Sequence, residues 1–149
     1  MTLERALLLL QAAATVYMTG LIWFVQVVHY PLLTAVPPSD LPAYEFGHQR
    51  RTGFVVAPPM LLELVTAVAA LRWRPPELPA LWAWAGVTLL GAIWASTAFV
   101  QVPLHDALEQ AHDAGSIRLL VASNWVRTVA WTSRAVLVGW ALARVMDGH

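Results

Sequence analysis

The chain has no cysteine and no lysine. Without thiols there is no disulfide, no iron–sulfur cluster, no thiolate-held zinc and no covalently attached c-type haem. Any metal must therefore be held by His, Asp or Glu. Charge is scarce as well: 12% of the residues are charged, about half of what a soluble domain carries. Nine basic and nine acidic side chains cancel, and every basic one is arginine. No basic face is left for nucleic acid, which is not expected as a partner. What fills the chain instead is apolar. The 149 residues are 58% hydrophobic, with a mean hydropathy of +0.59. Eight tryptophans suit the two interface belts of a bilayer, with Trp94, Trp125 and Trp131 expected to lie deeper. This is the composition of an integral membrane protein, and its length suits a single bundle.

Four apolar segments are each long enough to cross the roughly 30 Å hydrocarbon core. They span about 6–29, 54–72, 78–102 and 117–146. The first is too long for a signal peptide and lacks a small-residue cleavage site. Pro31 disfavours helical geometry at Tyr30, which predicts a helix end near His29. Pro37-Pro38-Ser39-Asp40 forms a turn and a candidate N-cap, and Leu41 to Arg51 reads as a short interfacial helix. Pro58-Pro59 falls near the start of the second segment, where proline is tolerated in a first helical turn; a kink is the other option. Arg72 to Glu77 makes a charged turn, and Pro103 stops or bends the third segment. Leu104 to Ala114 reads as a second short helix, ended by Gly115. The expected architecture is an all-α, integral membrane, antiparallel four-helix bundle of one domain with two short interfacial helices. Arg5, Arg72, Arg74 and Arg144 fall on one side, and Arg50, Arg51 and Arg118 on the other. The positive-inside rule then puts both termini in the cytoplasm of a bacterial-type inner membrane.

The fourth segment carries Asn124, Arg127, Trp131 and Arg134, which share one helix face at 3.6 residues per turn. An arginine facing lipid costs from a few to more than ten kcal/mol, so this stripe should turn inward. The natural partner for Arg127 or Arg134 is Glu63, the one carboxylate in the middle of an apolar segment. Up-down topology brings the end of helix 1, the start of helix 2, the end of helix 3 and the start of helix 4 to one face. His29, Glu45, His48, Glu63, Gln101, His105, Glu109, His112, Asn124 and Arg127 all map there. The opposite end holds only Glu4, Glu77, Asp147 and His149. Imidazole and carboxylate clusters of this kind bind iron, copper, manganese or zinc. Glu45-x-x-His48 and Glu109-x-x-His112 have the i, i+3 spacing used by di-iron four-helix proteins.

Each residue also has a plainer role. Glu63 could serve only as a structural ion-pair partner. His29 could bond to a backbone carbonyl at the interface, and Glu45, Glu109 and His112 could be surface charges. Tyr30 and the tryptophans suit belt or core. Gln101 and Asn124 suit hydrogen bonds between helices.

Gln101-Val-Pro-Leu-His105-Asp-Ala-Leu, followed some twenty residues later by Asn124-Trp-Val-Arg127-Thr, resembles the anthrone-oxygenase-like family of small four-helix membrane proteins. The likeness covers roughly the last fifty residues, with a looser match at Pro31-Leu32-Leu33. His105 stands where that family usually has asparagine, which marks a histidine-rich subgroup. The resemblance implies a four-helix membrane fold and an oxygenase acting on a lipophilic aromatic or quinone-like substrate.

The leading expectation is a membrane-embedded oxidoreductase with a non-haem metal, iron or copper ahead of manganese or zinc, at one end of the bundle. His29, His48, Glu63 and His105 are the first candidate ligands, with Glu45 and Glu109 next. Arg127 and Asn124 would orient the ligands, and Arg134 would pair with Glu63 or meet a polar group of the substrate. The expected partners are the lipid bilayer, a lipophilic small molecule, and a second copy or a partner membrane subunit. Two alternatives stand beside this: a haem-binding or electron-transfer subunit with histidine axial ligands, and a non-catalytic membrane subunit whose Glu–Arg pair locks the bundle.

Overall fold

The computed structural model describes residues 1–147; His149, expected at the end opposite the histidines, lies outside them. It is 87% helical, with no strand among the described residues. Four long helices make up the bundle: α1 Leu3–Ala35, α2 Leu41–Ala70, α3 Ala80–Gln110 and α4 Ala114–Asp147. Helix α1 packs on α2 and α4, and α3 packs on the same two. The helices therefore stand at four corners, with α1 and α3 on one diagonal.

The prolines do not end helices where the sequence suggested. Helix α1 passes Pro31 and runs to Ala35, and α3 passes Pro103 and runs to Gln110. Both are preceded by a single π-turn, Val25–His29 and Thr97–Gln101. There the Tyr30 N–H bonds to the Val25 carbonyl and the Val102 N–H to the Thr97 carbonyl, five residues back. A proline ring clashes with the carbonyl four residues before it, and the wider turn relieves that clash. In α2 the pair Pro58-Pro59 lies inside one helix. Leu41 to Arg51 is thus the first part of α2, and the expected second short helix is the last part of α3, Val102–Gln110. Asp40 occupies the N-cap position of α2 without a capping side-chain bond.

At 1.5 Å per residue each long helix is about 45–50 Å in length, well beyond a hydrocarbon core of roughly 30 Å. Three of them, α1, α2 and α3, are apolar enough to cross a membrane. Helix α4 is long enough too, and its stripe of Asn124, Arg127, Trp131 and Arg134 is buried against the other helices. Outward faces are apolar: Phe54, Leu81, Phe99 and Val136 are largely exposed. Gln11, Thr15, Gln26, Glu63, Thr66, Thr128 and Arg134 are buried. Polar inside and apolar outside is the arrangement a bilayer demands. Trp131 follows the expectation of a deep position, Trp94 is half-buried, and Trp125 faces outward, edge-on to Trp23.

Three apolar layers divide the interior. Leu8, Ala70, Leu78, Trp82 and Ala141 close the end nearest the N-terminus. Met18, Ile22, Met60, Leu90, Ile93 and Trp131 fill the middle. Tyr30, Leu33, Leu41, Leu108, Ile117 and Leu120 close the far end, where the histidines collect.

Candidate metal centre

Three ligand-type side chains meet at the far end: Glu45 and His48 from α2 and His105 from α3, with one ligand atom of each within 4.8 Å of the others. Two sequence features place them. The i, i+3 spacing puts Glu45 and His48 on one face of α2. The π-turn before Pro103 adds a residue to the turn that precedes His105, which changes the direction the following turn faces.

Glu45 is fully buried, which corrects its reading as a surface charge. Its Oε2 lies 2.8 Å from His105 Nδ1, and its Oε1 has no hydrogen-bond partner. A carboxylate only accepts, so His105 Nδ1 carries the proton. With a neutral imidazole, His105 Nε2 then accepts from the Tyr30 hydroxyl, 3.0 Å away. The result is a chain Tyr30–His105–Glu45 that ends on an unsatisfied carboxylate oxygen. A buried carboxylate oxygen with no donor is costly, and a cation would relieve it. Ligands around one ion at about 2.0–2.2 Å stand some 3–4 Å apart, so small side-chain shifts from the present spacing suffice. The group could hold a metal ion.

His29 adjoins the group without being one of the three. Its Nε2 is 3.1 Å from His48 Nδ1, and the rings stack with centroids 4.5 Å apart. Thr52 Oγ1 also reaches His48 Nδ1, at 3.2 Å, which leaves Nε2 as the free ligand atom of His48. Glu109 lies outside the group and accepts from Gln49 Nε2 at 2.6 Å. His112 is exposed beyond the end of α3.

Glu63 also lies outside the group. Because α2 is one helix, Glu63 sits 15 residues from His48, about 22 Å along the axis. It is instead the centre of a second, fully buried network. Its Oε1 accepts from Thr15 at 2.6 Å and from Arg134 Nε at 3.2 Å, and its Oε2 accepts from Trp131 Nε1 at 2.9 Å. Arg134 also donates to the Gly86 carbonyl at 2.5 Å, so α1, α2, α3 and α4 all contribute. Of the two arginines only Arg134 pairs with Glu63. Asn124 orients neither ligands nor Glu63: its amide donates to Gln26 Oε1 at 2.9 Å, joining α4 to the π-turn of α1.

A cavity of about 270 Å³ opens beside the metal group. Its polar lining includes Tyr30, His48, Thr97, Gln101, His105 and Arg127, and its apolar lining Val56, Ala57, Met60, Trp94 and Val102. Gly53, Ala57 and Val102 are exposed, which places its mouth between α2 and α3 on the outward face. Sequence reasoning gave Tyr30 a belt or core role and passed over Thr52. The signal for Tyr30 was present: a buried glutamine precedes a proline in both α1 and α3, and Tyr30 and His105 each stand four residues after that glutamine.

Fold and site together define an all-α bundle of membrane type with a His/Glu group able to hold a metal. Compared with known proteins, the chain matches no family model, no curated protein and no solved structure.

Proposed function

We propose that the protein is a membrane-embedded, metal-dependent oxidoreductase of oxygenase type acting on a lipophilic substrate. One observation carries this reading: the buried, unpartnered Glu45 Oε1 stands in a group with His48 and His105, beside a largely apolar cavity. Glu45, His48 and His105 would hold the metal, with His29 behind His48. The two-nitrogen, one-oxygen donor set suits non-haem iron or copper, and admits manganese or zinc. Such an ion supplies redox chemistry when bound. The chain's own residues bind and orient: the Glu45 carboxylate, accepting from His105 Nδ1–H, holds the tautomer whose lone pair is on Nε2, and the Tyr30 hydroxyl would give up its bond to that nitrogen in favour of the ion. The apolar walls admit substrate from the lipid side between α2 and α3 and keep bulk water out. The oxygenase part of the reading is the expectation that follows from the resemblance of 101–108 and 124–128 to the anthrone-oxygenase-like family.

Metal analysis of the purified protein tests it. Near-stoichiometric iron or copper is expected, lost in Glu45→Gln and His48→Ala and retained in Glu63→Gln. No metal in the wild-type protein, even after reconstitution, refutes it. A Soret band would replace it with the haem-binding reading. A second reading, a non-catalytic subunit, draws on the fact that both ring nitrogens of His105 already have protein partners. It requires that no metal bind and that His105 variants lose only stability or assembly.

A further inference from the structure

Arg127 is a buried cation with no ion-pair partner among the described residues. It is 7% exposed, yet no carboxylate among them lies within ion-pair distance and its Nε has no partner. Its companions are the Trp131 ring, centred 5.4 Å from the guanidinium carbon, and the Tyr30 hydroxyl, and neither is a carboxylate. Arg134, seven residues further along the same face, has both Glu63 and a carbonyl. The difference is position: Arg127 lines the cavity and Arg134 does not. Two more buried polar atoms on the cavity lining lack partners, Trp94 Nε1, a donor, and Gln101 Oε1, an acceptor. An unpaired guanidinium inside a membrane protein is expensive unless something supplies the anion. A guanidinium edge of Nε and one terminal nitrogen matches the two oxygens of a carboxylate.

We propose that the cavity takes a lipophilic carboxylate, its head group on Arg127 and its apolar body against Val56, Ala57 and Met60. Trp94 Nε1 adds a donor to the same molecule, and Gln101 Oε1 suits a hydroxyl or N–H elsewhere on it. A divalent ion at Glu45 would leave the cavity with excess positive charge, which an organic anion offsets. The inference rests on the proposed function in taking this cavity as the place of the substrate, and it names the substrate's class.

The probes are 2-naphthoate and its neutral isostere 2-naphthamide. Their equilibrium binding to the full chain in uncharged detergent is measured on metal-loaded and metal-stripped samples of known metal content. The wild-type protein should bind the carboxylate at least ten-fold more tightly than the amide. Arg127→Gln should abolish that preference, Arg127→Lys should keep part of it, and Ala57→Phe should weaken both probes together. Equal binding of the two probes by the wild-type protein overturns the proposal, as does a preference that survives in Arg127→Gln. If Arg127→Gln does not fold, a full preference in Arg127→Lys, or unchanged binding in Ala57→Phe, overturns it equally. Carboxylate preference in a protein that takes up no metal even on reconstitution would remove the metalloenzyme reading and leave this one standing; metal without the preference would do the reverse.

Discussion

Replacing Glu63 by glutamine separates a lock from a ligand. Glu63 is completely buried and receives donors from Thr15, Trp131 and Arg134. Glutamine keeps the length and one oxygen, but its NH₂ must face at least one of three donors, and Arg134, 1% exposed, loses its counter-charge. Removing one member of a buried pair costs about 3–5 kcal/mol, because the remaining charge stays buried alone. At roughly 2–4 °C per kcal/mol for a chain of this size, melting should fall by about 6–20 °C. Thermal unfolding in detergent, followed by circular dichroism, reads this directly. The double variant Glu63→Leu, Arg134→Met removes both charges and should recover most of the loss, so the two substitutions must be strongly non-additive. A change under about 1 kcal/mol in Glu63→Gln would refute the reasoning. So would a normally folded Glu63→Gln protein that had shed its metal, since Glu63 would then act on the ion and not on Arg134.

Two further outcomes test other parts of the structure. Gln26 accepts from Asn124 and Thr128 and donates to the Val121 carbonyl. Gln26→Leu strands these partners and should cost about 1 kcal/mol, the usual size for hydrogen bonds between membrane helices; a variant as stable as wild type in detergent unfolding would contradict that. Outside the membrane, Asp113 caps α4 by accepting from the Gly115 and Ser116 amides and the Ser116 hydroxyl, at 3.0, 2.8 and 2.6 Å. The Ser116 hydroxyl first, then the two amides, hold its carboxyl below the ordinary 3.8. A depressed folded value means the cap is fully present above the unfolded value and is lost as pH falls through the folded one. Protection of the amides at the start of α4, measured against the exchange of unstructured chain at the same pH, should therefore fall only below about pH 4, and in Asp113→Ala it should be weak at every pH. Protection that is independent of both acid and the substitution would show that the cap contributes nothing.

The lesson about sequence and structure lies in particular residues. The buried stripe of Asn124, Arg127, Trp131 and Arg134 was legible because 3.6 residues per turn and the cost of charge in lipid leave one solution. So was the gathering of histidines at one end, since up-down topology returns His29, His48 and His105 to the same face. The absence of cysteine limited any metal to nitrogen and oxygen ligands, and the apolar segments fixed the all-α class. Which groups touch was not legible. Pro31 read as a helix end, Pro58-Pro59 as a first helical turn or a kink, and Pro103 as a stop or a bend; three helices in fact continue past them, with π-turns before Pro31 and Pro103. That continuity sets depth. It puts Glu63 about 22 Å from His48 along α2, out of the metal group and level with Arg134, while Glu45 moves from the expected surface into a fully buried place beside His105. It also gives Arg127 a cavity in place of a carboxylate. Local sequence encodes the face a side chain takes, because helical phase repeats every few residues. Depth along the bundle accumulates over the whole helix, so only the packed helices decide which charge meets which partner.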